Sequence, residues 1–162
     1  MNPSGAREVL SRPRAQELLH SPLLMRLAYV GLDDYPRVIP IGYLWNGESF
    51  VVCTAEKAPK VRALEANPHV AITIDTDSQP PHILLVRGTA SVQIVDGIPV
   101  EYLQASKKSV AQGQWEAFET QVRGLYPRMA RINIRPEWAK LIDFETTLPI
   151  AVERLMAQQR AQ

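Results

Sequence analysis

The dipeptide Asn46-Gly47 constrains the fold of this chain more than any other feature of its sequence. It separates two segments, residues 37–45 and 48–54, that are rich in β-branched and aromatic side chains. Both central residues of a type I′ turn take positive φ, which asparagine and glycine adopt more readily than other residues. We therefore predict a tight β-hairpin with a two-residue turn at its centre.

The register of that hairpin predicts where a ligand can meet it. A two-residue turn places Pro40 opposite Cys53, in a pair without backbone hydrogen bonds, so the missing N–H is tolerated on this side. On its other side the strand must be an edge, bulged, or facing a ligand, and a simple edge proline is an equally good interpretation. The same register sets Arg37 diagonally across from Thr54, within reach of a shared anion. Arg37 also falls opposite Glu56, so a surface ion pair is the alternative.

A short helix is predicted directly after the hairpin, over residues 58–66, with Pro59 in its first turn. Lys60 then lies at the helix N-terminus, where free backbone N–H groups favour a phosphate. A guanidinium donates two parallel hydrogen bonds to a phosphate, whereas an ammonium acts as a point charge. Arg37, Thr54 and Lys60 are therefore predicted to form a phosphate cradle, beside apolar strands that can hold a flat ring.

The composition is that of one globular domain. The chain has 162 residues, of which 46% are hydrophobic and 22% charged, and its net charge of +1 argues against a nucleic-acid partner. No apolar run reaches the roughly 20 residues of a membrane span, so we expect a soluble, cytoplasmic protein without a membrane partner. We expect residues 1–162 to form a single domain, with residues 1–11 loosely structured and residues 148–162 forming a C-terminal helix.

The residue types that most often carry chemistry indicate no further site. Cys53 is the single cysteine, and His20, His69 and His82 lack the spacing of metal ligands. His82 stands in a proline-rich loop before a strand, where it can line a substrate opening or serve a structural role. No metal site is predicted, and the catalytic residues are left unassigned.

Short apolar strands separated by turns, with few helices, predict a mainly β protein: a β-barrel with α-helical covers. Six segments follow one another along the chain: Leu27-Ala28-Tyr29-Val30-Gly31, Pro36-Arg37-Val38-Ile39-Pro40, Trp45-Asn46-Gly47, Lys60-Val61-Arg62-Ala63-Leu64, Asn67-Pro68 and Val86-Arg87-Gly88-Thr89-Ala90. Over about residues 23–95 this order resembles the pyridoxamine 5′-phosphate oxidase-like superfamily of split-barrel flavoproteins. The C-terminal part resembles it only loosely.

The resemblance implies a six-stranded antiparallel split β-barrel of the FMN-binding type, which forms a homodimer with FMN in a groove between subunits. The cofactor-binding residues that it implies are Arg37, Val38, Ile39, Pro40, Thr54, Ala55 and Lys60. Arg37 and Lys60 match phosphate-binding positions, and residues 38–40 match the segment whose backbone lies along the flavin ring. Residues 54–55 match the strand end beside the phosphate and the ribityl chain.

The chain departs from the true oxidase in three places. Pro59 replaces an arginine before the phosphate lysine, a glutamine that contacts the ring falls near Ile83, and residues 138–143 lack the substrate-binding Arg-Leu-His pattern. The resemblance therefore implies not pyridoxamine phosphate oxidation but another FMN-dependent oxidoreductase, with hydride or electron transfer to a small-molecule substrate.

Two alternatives stay open from the same resemblance: a non-enzymatic flavin- or haem-binding protein, and a deazaflavin-dependent reductase. Haem binding needs a suitably placed histidine, and the acidic tail of a deazaflavin coenzyme favours additional basic residues such as Lys57 and Arg62. Trp138 is a candidate to stack on a flavin from the partner subunit, with core packing as the alternative.

Overall fold

A computed structural model describes residues 3–160 of the chain. The helices are α1 (Pro3–Leu10), α2 (Pro13–His20), α3 (Pro59–Ala66), α4 (Val100–Ser106), α5 (Trp115–Leu125) and α6 (Ile150–Arg160). The strands are β1 (Met25–Val30), β2 (Pro36–Ile41), β3 (Leu44–Trp45), β4 (Phe50–Ala55), β5 (His69–Asp75), β6 (Ile83–Asp96) and β7 (Arg128–Ile142).

The strands form one antiparallel sheet in the order β2-β1-β5-β6-β7-β4-β3, and the sheet does not close on itself. This confirms the prediction of a mainly β, split-barrel protein with helical covers. The sheet has 7 strands instead of the expected six. The additional strand arises because the predicted strand over residues 37–45 is interrupted at residues 42–43, which separate β2 from β3.

The predicted hairpin between residues 37–45 and 48–54 is wrong in its pairing. β2 pairs with β1 and not with β4, so Pro40 lies opposite Arg26 and not opposite Cys53. Within residues 37–45, only the short strand β3 pairs with β4, with Trp45 opposite Phe50. Arg37 therefore has Tyr29, and neither Thr54 nor Glu56, as its cross-strand partner.

The turn that follows β3 is longer than predicted because Asn46 closes it with its side chain. Asn46 Oδ1 accepts hydrogen bonds from the backbone N–H groups of Glu48 and Ser49, at 3.0 and 2.8 Å. Positive φ is found at Gly47 (96°) but not at Asn46, so the turn is not type I′. An asparagine can either adopt positive φ or bond to the backbone two residues ahead, and the dipeptide alone does not distinguish the two.

The core fills the inside of the barrel. Its fully buried side chains are Leu19, Met25, Leu27, Tyr43, Phe50, Leu64, Ile72, Ile74, Leu84, Ile132 and Ile134. Residues of α1 and α2 join this core, with Ala6 3% exposed and Leu10 5% exposed. The prediction that residues 1–11 are loosely structured is therefore wrong for residues 3–10: an apolar pair one helical turn apart anchors this short, otherwise polar segment.

Strand β2 forms one edge of the sheet, and two of its residues are prolines. The turn before it is closed by a hydrogen bond from Gly31 N–H to the Tyr35 carbonyl, at 2.8 Å. Because hydrogen-bonded and non-bonded pairs alternate along an antiparallel ladder, the backbone groups of Pro36, Val38 and Pro40 point away from β1. Of these, only Val38 carries an N–H. Pro40 is thus tolerated as an edge proline.

A bulge in the pairing of β6 and β7 determines which residues meet near their middle. The register shifts between Arg87 and Gly88, and a Cβ at Gly88 would collide with the Arg135 carbonyl oxygen. Glycine permits this close approach. Beyond the bulge, Arg87 pairs with Trp138.

Helix α6 falls within the range expected for a C-terminal helix, and residues 161–162 lie outside the described residues. Every residue of α6 is exposed. No helix in the described part of the chain is long and apolar enough to cross a membrane. That residues 1–162 form a single domain stays a prediction.

Candidate functional site

The end of β4 and the start of α3 bring Thr54 and Lys60 together. Lys60 Nζ donates a hydrogen bond to Thr54 Oγ1 at 3.4 Å. The connecting residues turn tightly, since the Ala58 N–H bonds to the Ala55 carbonyl at 3.0 Å and the Val61 N–H bonds to the Ala58 carbonyl at 2.9 Å. The sequence predicted this arrangement through the proline that opens α3, which suits the first turn of a helix.

The ammonium of Lys60 is half-buried and without a counter-charge. Burial lowers the pKa of Lys60 below its ordinary value of 10.5. Among residues 3–160, Lys60 forms no ion pair with a carboxylate, so the hydroxyl of Thr54 is its neutral partner. The free N–H groups at the start of α3 add partial positive charge beside it. The arrangement suits a phosphate or another small anion.

Arg37, the other predicted phosphate residue, is occupied elsewhere. Its Nη2 donates to Asp33 Oδ2 at 2.7 Å, and its Nη1 donates to the Tyr35 carbonyl at 3.1 Å. The hydrogen bond from Arg37 is the largest cause that holds the pKa of Asp33 below its usual range. The predicted diagonal contact of Arg37 with Thr54 is therefore not present. Glu56, the alternative partner, instead pairs with Arg128.

The remaining predicted cofactor residues lie in two places. Val38 is 65% exposed, Pro40 is exposed, and Ile39 packs against the core between them. Ala55 is half-buried at the end of β4, opposite Met129. The structure thus places residues 38–40 on the edge strand and residues 54–55 beside Lys60.

A shallow groove of about 390 Å³ runs across the outer face of β2, β1, β5 and the start of β6; we call it the outer groove. Its lining residues are Arg26, Ala28, Val38, Ala71, Thr73, Asp75 and Ile83. Val38, Ala28 and Ala71 are successive cross-strand partners, so the middle of the groove has a floor of small side chains. An ion pair of 2.6 Å between Arg26 and Asp75 borders it. Small side chains leave room for a flat apolar group above them.

Sequence reasoning singled out Val38 and Ile83 in the outer groove but missed Ala28 and Ala71. Each alanine stands in an ordinary strand pattern. The signal that joins them is the register of β1 against β5, two strands that are far apart in the chain. Residue patterns within one strand do not carry that information.

A larger cleft of about 780 Å³ lies at the opposite end of β4, between α1, α2 and the turn after β3. Trp45 and Pro136 supply apolar surface there, and its rim carries both acidic and basic side chains, among them Arg7 and Glu48. The mixed charge favours no particular ligand. Lys60 lines neither this cleft nor the outer groove, so the small apolar floor of the outer groove is what makes it the better candidate for a flat ring.

The other residues singled out in the sequence are distributed as follows. The backbone N–H of His82 bonds to Thr76 Oγ1 at 3.0 Å and closes the loop before β6. Trp138 is half-buried on the outer face of β7, with the Arg87 guanidinium carbon 4.6 Å from its ring centroid.

Burial raises the pKa of the Cys53 thiol to about 12, which leaves it protonated and unreactive at neutral pH. No group of metal-binding side chains occurs among the described residues.

Together these features describe a split-barrel protein with a half-buried lysine at the start of α3 and a shallow groove on its outer face. A family model described as pyridoxamine 5′-phosphate oxidase matches residues 11–143. The chain belongs to this family, which confirms the resemblance found in the sequence. No curated protein sequence matches the chain.

Solved structures extend the comparison. An F420 reductase is 27% identical, covers 77% of this chain and 94% of its own, and has a TM-score of 0.62. General Stress Protein 26 from Bacillus anthracis str. Sterne is 18% identical, covers 80% of this chain and 92% of its own, and has a TM-score of 0.58. HutZ, a haem storage protein from Vibrio cholerae, is 24% identical, covers 81% of this chain and 92% of its own, and has a TM-score of 0.55. The last two show the fold alone.

Proposed function

We propose that the protein is a cytoplasmic, homodimeric, FMN-dependent oxidoreductase that acts on a small molecule. The observation that carries this proposal is the unneutralised Lys60 ammonium, half-buried beside Thr54 at the start of α3. A cation held out of water without a counter-charge is a site for an anion. In a family of flavin-binding split barrels, the phosphate of FMN is the anion that this site is proposed to take.

The edge of β2 and the outer groove supply the other half of the proposed site. The N–H of Val38 points away from β1, and its side chain is 65% exposed next to the floor formed by Ala28 and Ala71. The backbone of Val38 would bond to the edge of the ring, and the small side chains would lie under its face. A second copy of the chain on this exposed face would keep water from the ring.

The bound flavin would supply the hydride or electron transfer. The residues of this chain would bind and orient it: Lys60 and Thr54 at the phosphate, and residues 38–40 along the ring. Arg37 is proposed to contribute less than Lys60, since an incoming phosphate would have to compete with Asp33 for its guanidinium.

A deazaflavin-dependent reductase is the second candidate, supported by the similarity to an F420 reductase at 27% identity. Lys57 and Arg62 are exposed near Lys60 and carry no ion pair among the described residues, so they would suit an acidic tail. The likeness to a haem storage protein shows the fold alone and supports no haem site here.

The test is a titration of the purified protein with FMN and with F420, followed by the change in cofactor absorbance. We expect Lys60→Ala to weaken FMN binding roughly 10- to 100-fold, the usual contribution of a charge-assisted hydrogen bond. Lys107→Ala, which removes an exposed lysine lying over Trp115, is the matched control and should leave the affinity unchanged. Equal FMN affinities in the wild type and Lys60→Ala would contradict the proposed phosphate site.

A further inference from the structure

Arg87 on β6 is a neighbour of the outer groove, and neither the proposed cofactor site nor the fold explains its presence there. The outward residues of β6 are Ile83, Leu85 and Arg87 in alternation, and Ile83 lines the groove. Arg87 lies directly opposite Ala71 on β5, which forms part of the groove floor. Side chains of such cross-strand partners start about 5 Å apart on the same face of the sheet. Arg87 therefore borders the outer groove without lining it, and its side chain can reach a molecule that extends from the groove towards β7.

Trp138 holds this guanidinium from the other side. It is the partner of Arg87 on β7, and the Arg87 guanidinium carbon lies 4.6 Å from the centroid of its ring. An arginine that stacks flat on an indole keeps its N–H donors free along the edge of the guanidinium plane. The contact with Trp138 thus holds the guanidinium beside the ring without using its hydrogen-bonding capacity.

Arg87 also differs from most arginines of the chain in lacking a counter-charge. Those that form ion pairs with carboxylates are Arg12, Arg14, Arg26, Arg37, Arg123, Arg128, Arg131 and Arg135. Within the described part of the chain, Arg87 has no such partner, although its side chain is exposed beside a groove. A planar and unpaired fork is complementary to a carboxylate or a phosphate.

We propose that Arg87, held on Trp138, recognises a carboxylate or phosphate of the small molecule that reacts with the flavin. This inference rests on the proposed function, because it takes the outer groove as the place of the flavin ring. It assigns the substrate to a chemical class: a compound whose reacting part lies over the ring while an anionic group reaches Arg87. A neutral substrate would leave this arginine without a role.

The experiment uses pairs of probes that differ in charge but hardly in shape. Benzoate and benzamide are titrated against the FMN-loaded protein, with the flavin absorbance as the readout. The wild type is expected to bind benzoate roughly 10- to 100-fold more tightly than benzamide. Arg87→Gln should remove this preference without changing benzamide binding or FMN affinity, and Arg87→Lys should keep part of it because only the flat fork is lost.

Arg123→Gln is the matched control, since it removes an exposed arginine on α5 that pairs with Glu119. It should leave the benzoate preference intact. Phenyl phosphate, titrated in parallel, shows whether the site prefers a phosphate to a carboxylate. A wild-type protein that binds benzoate and benzamide equally, or an unchanged preference in Arg87→Gln, would overturn the inference. So would a loss of FMN affinity in Arg87→Gln with no effect on the probes.

The two proposals fail differently. If the protein takes up no FMN, the proposed function is wrong, whatever Arg87 does. The probes are then titrated without flavin by tryptophan fluorescence, where loss of the benzoate preference in Arg87→Gln still supports anion recognition and its persistence contradicts it.

Discussion

The two ends of the sheet differ in what covers their outer surface. Over β3 and β4 the outer face is packed against α4, which we call the covered face; Val51 there is 4% exposed. Arg131 on β7 ties α4 to this face through an ion pair with Glu101 at 3.2 Å. Over β1, β2, β5 and β6 the outer face carries the outer groove, which we call the open face; Val38 there is 65% exposed. One face is used for stability, and the other is available for binding.

The segment between β6 and β7 accounts for the difference. It forms α4 and α5, and α4 turns back over β4. On the open side the chain continues from β7 into α6, whose residues are all exposed and leave the sheet uncovered. The open face is therefore uncovered because the helices between β6 and β7 pack on the other end of the sheet. The strands of the open face do not differ in kind from those of the covered face.

The largest expected effect concerns stability on the two faces. Met129 lies 1% exposed on the strand shared with the covered face, whereas Val38 is 65% exposed on the open face. Met129→Ala should lower the free energy of unfolding by about 2–5 kcal/mol through a cavity, and Val38→Ala by less than about 0.5 kcal/mol. Urea unfolding measures both. Similar losses for the two variants would break the comparison.

Next in size is the effect of filling the outer groove. Ala71→Phe adds a ring to an exposed position on the floor, so it should collide with a bound flavin without disturbing the core. FMN affinity is expected to fall roughly 100-fold, with the free energy of unfolding unchanged within about 0.5 kcal/mol. A flavin titration and a urea curve on the same preparation test this. If Ala71→Phe bound FMN as tightly as the wild type, the ring would have to lie elsewhere.

A smaller effect is expected at the turn that follows β7. Asp143 is 6% exposed and accepts hydrogen bonds from the N–H groups of Thr146 and Thr147, both at 2.8 Å. Burial alone would raise the pKa of Asp143, but these bonds and that from the Thr146 hydroxyl together lower it below its ordinary 3.8. The unfolded chain therefore takes up a proton first, and the stabilisation present above about pH 4 is lost as the pH falls further.

Asp143→Asn should accordingly lower the free energy of unfolding at neutral pH by roughly 1–3 kcal/mol and flatten its dependence on pH below about pH 4. Acid unfolding followed by circular dichroism measures this. Asp77→Asn, at an exposed position, is the control and should keep the wild-type slope. If the free energy of unfolding of Asp143→Asn depended on pH as steeply as that of the wild type, this account of the turn would be contradicted.

The smallest expected effect is the pH dependence of flavin binding. Burial lowers the pKa of Lys60 below 10.5, and a bound phosphate would raise it again by favouring the ammonium. FMN affinity should therefore be constant at neutral pH and fall, by up to about tenfold per pH unit, once the pH passes the pKa of free Lys60. Lys60→Arg, which stays charged, should show a flatter profile in FMN titrations. Identical profiles would show that Lys60 does not bind the phosphate.

Much of the architecture could be predicted from the sequence, because alternation and turn residues are local signals. The helix that carries Lys60 and its approach to Thr54 depend on a few neighbouring residues and were predicted correctly. The pairing of β2 with β1 could not be predicted from Asn46-Gly47, since the asparagine closes a longer turn with its side chain. The outer groove depends on the register between strands distant in the chain, and that register becomes visible only in the folded protein.

The prolines of β2 have a consequence for how copies of this protein can associate. The free edge of a sheet invites the strand of another molecule, and growth of that kind leads to fibres. Along the outward side of β2, Pro36 and Pro40 leave the amide of Val38 as the single donor, so an added strand would find no continuous ladder. Edge-to-edge polymerisation is thereby blocked at this edge. The proposed homodimer, in which copies of the chain pack face to face across the sheet, does not need this edge.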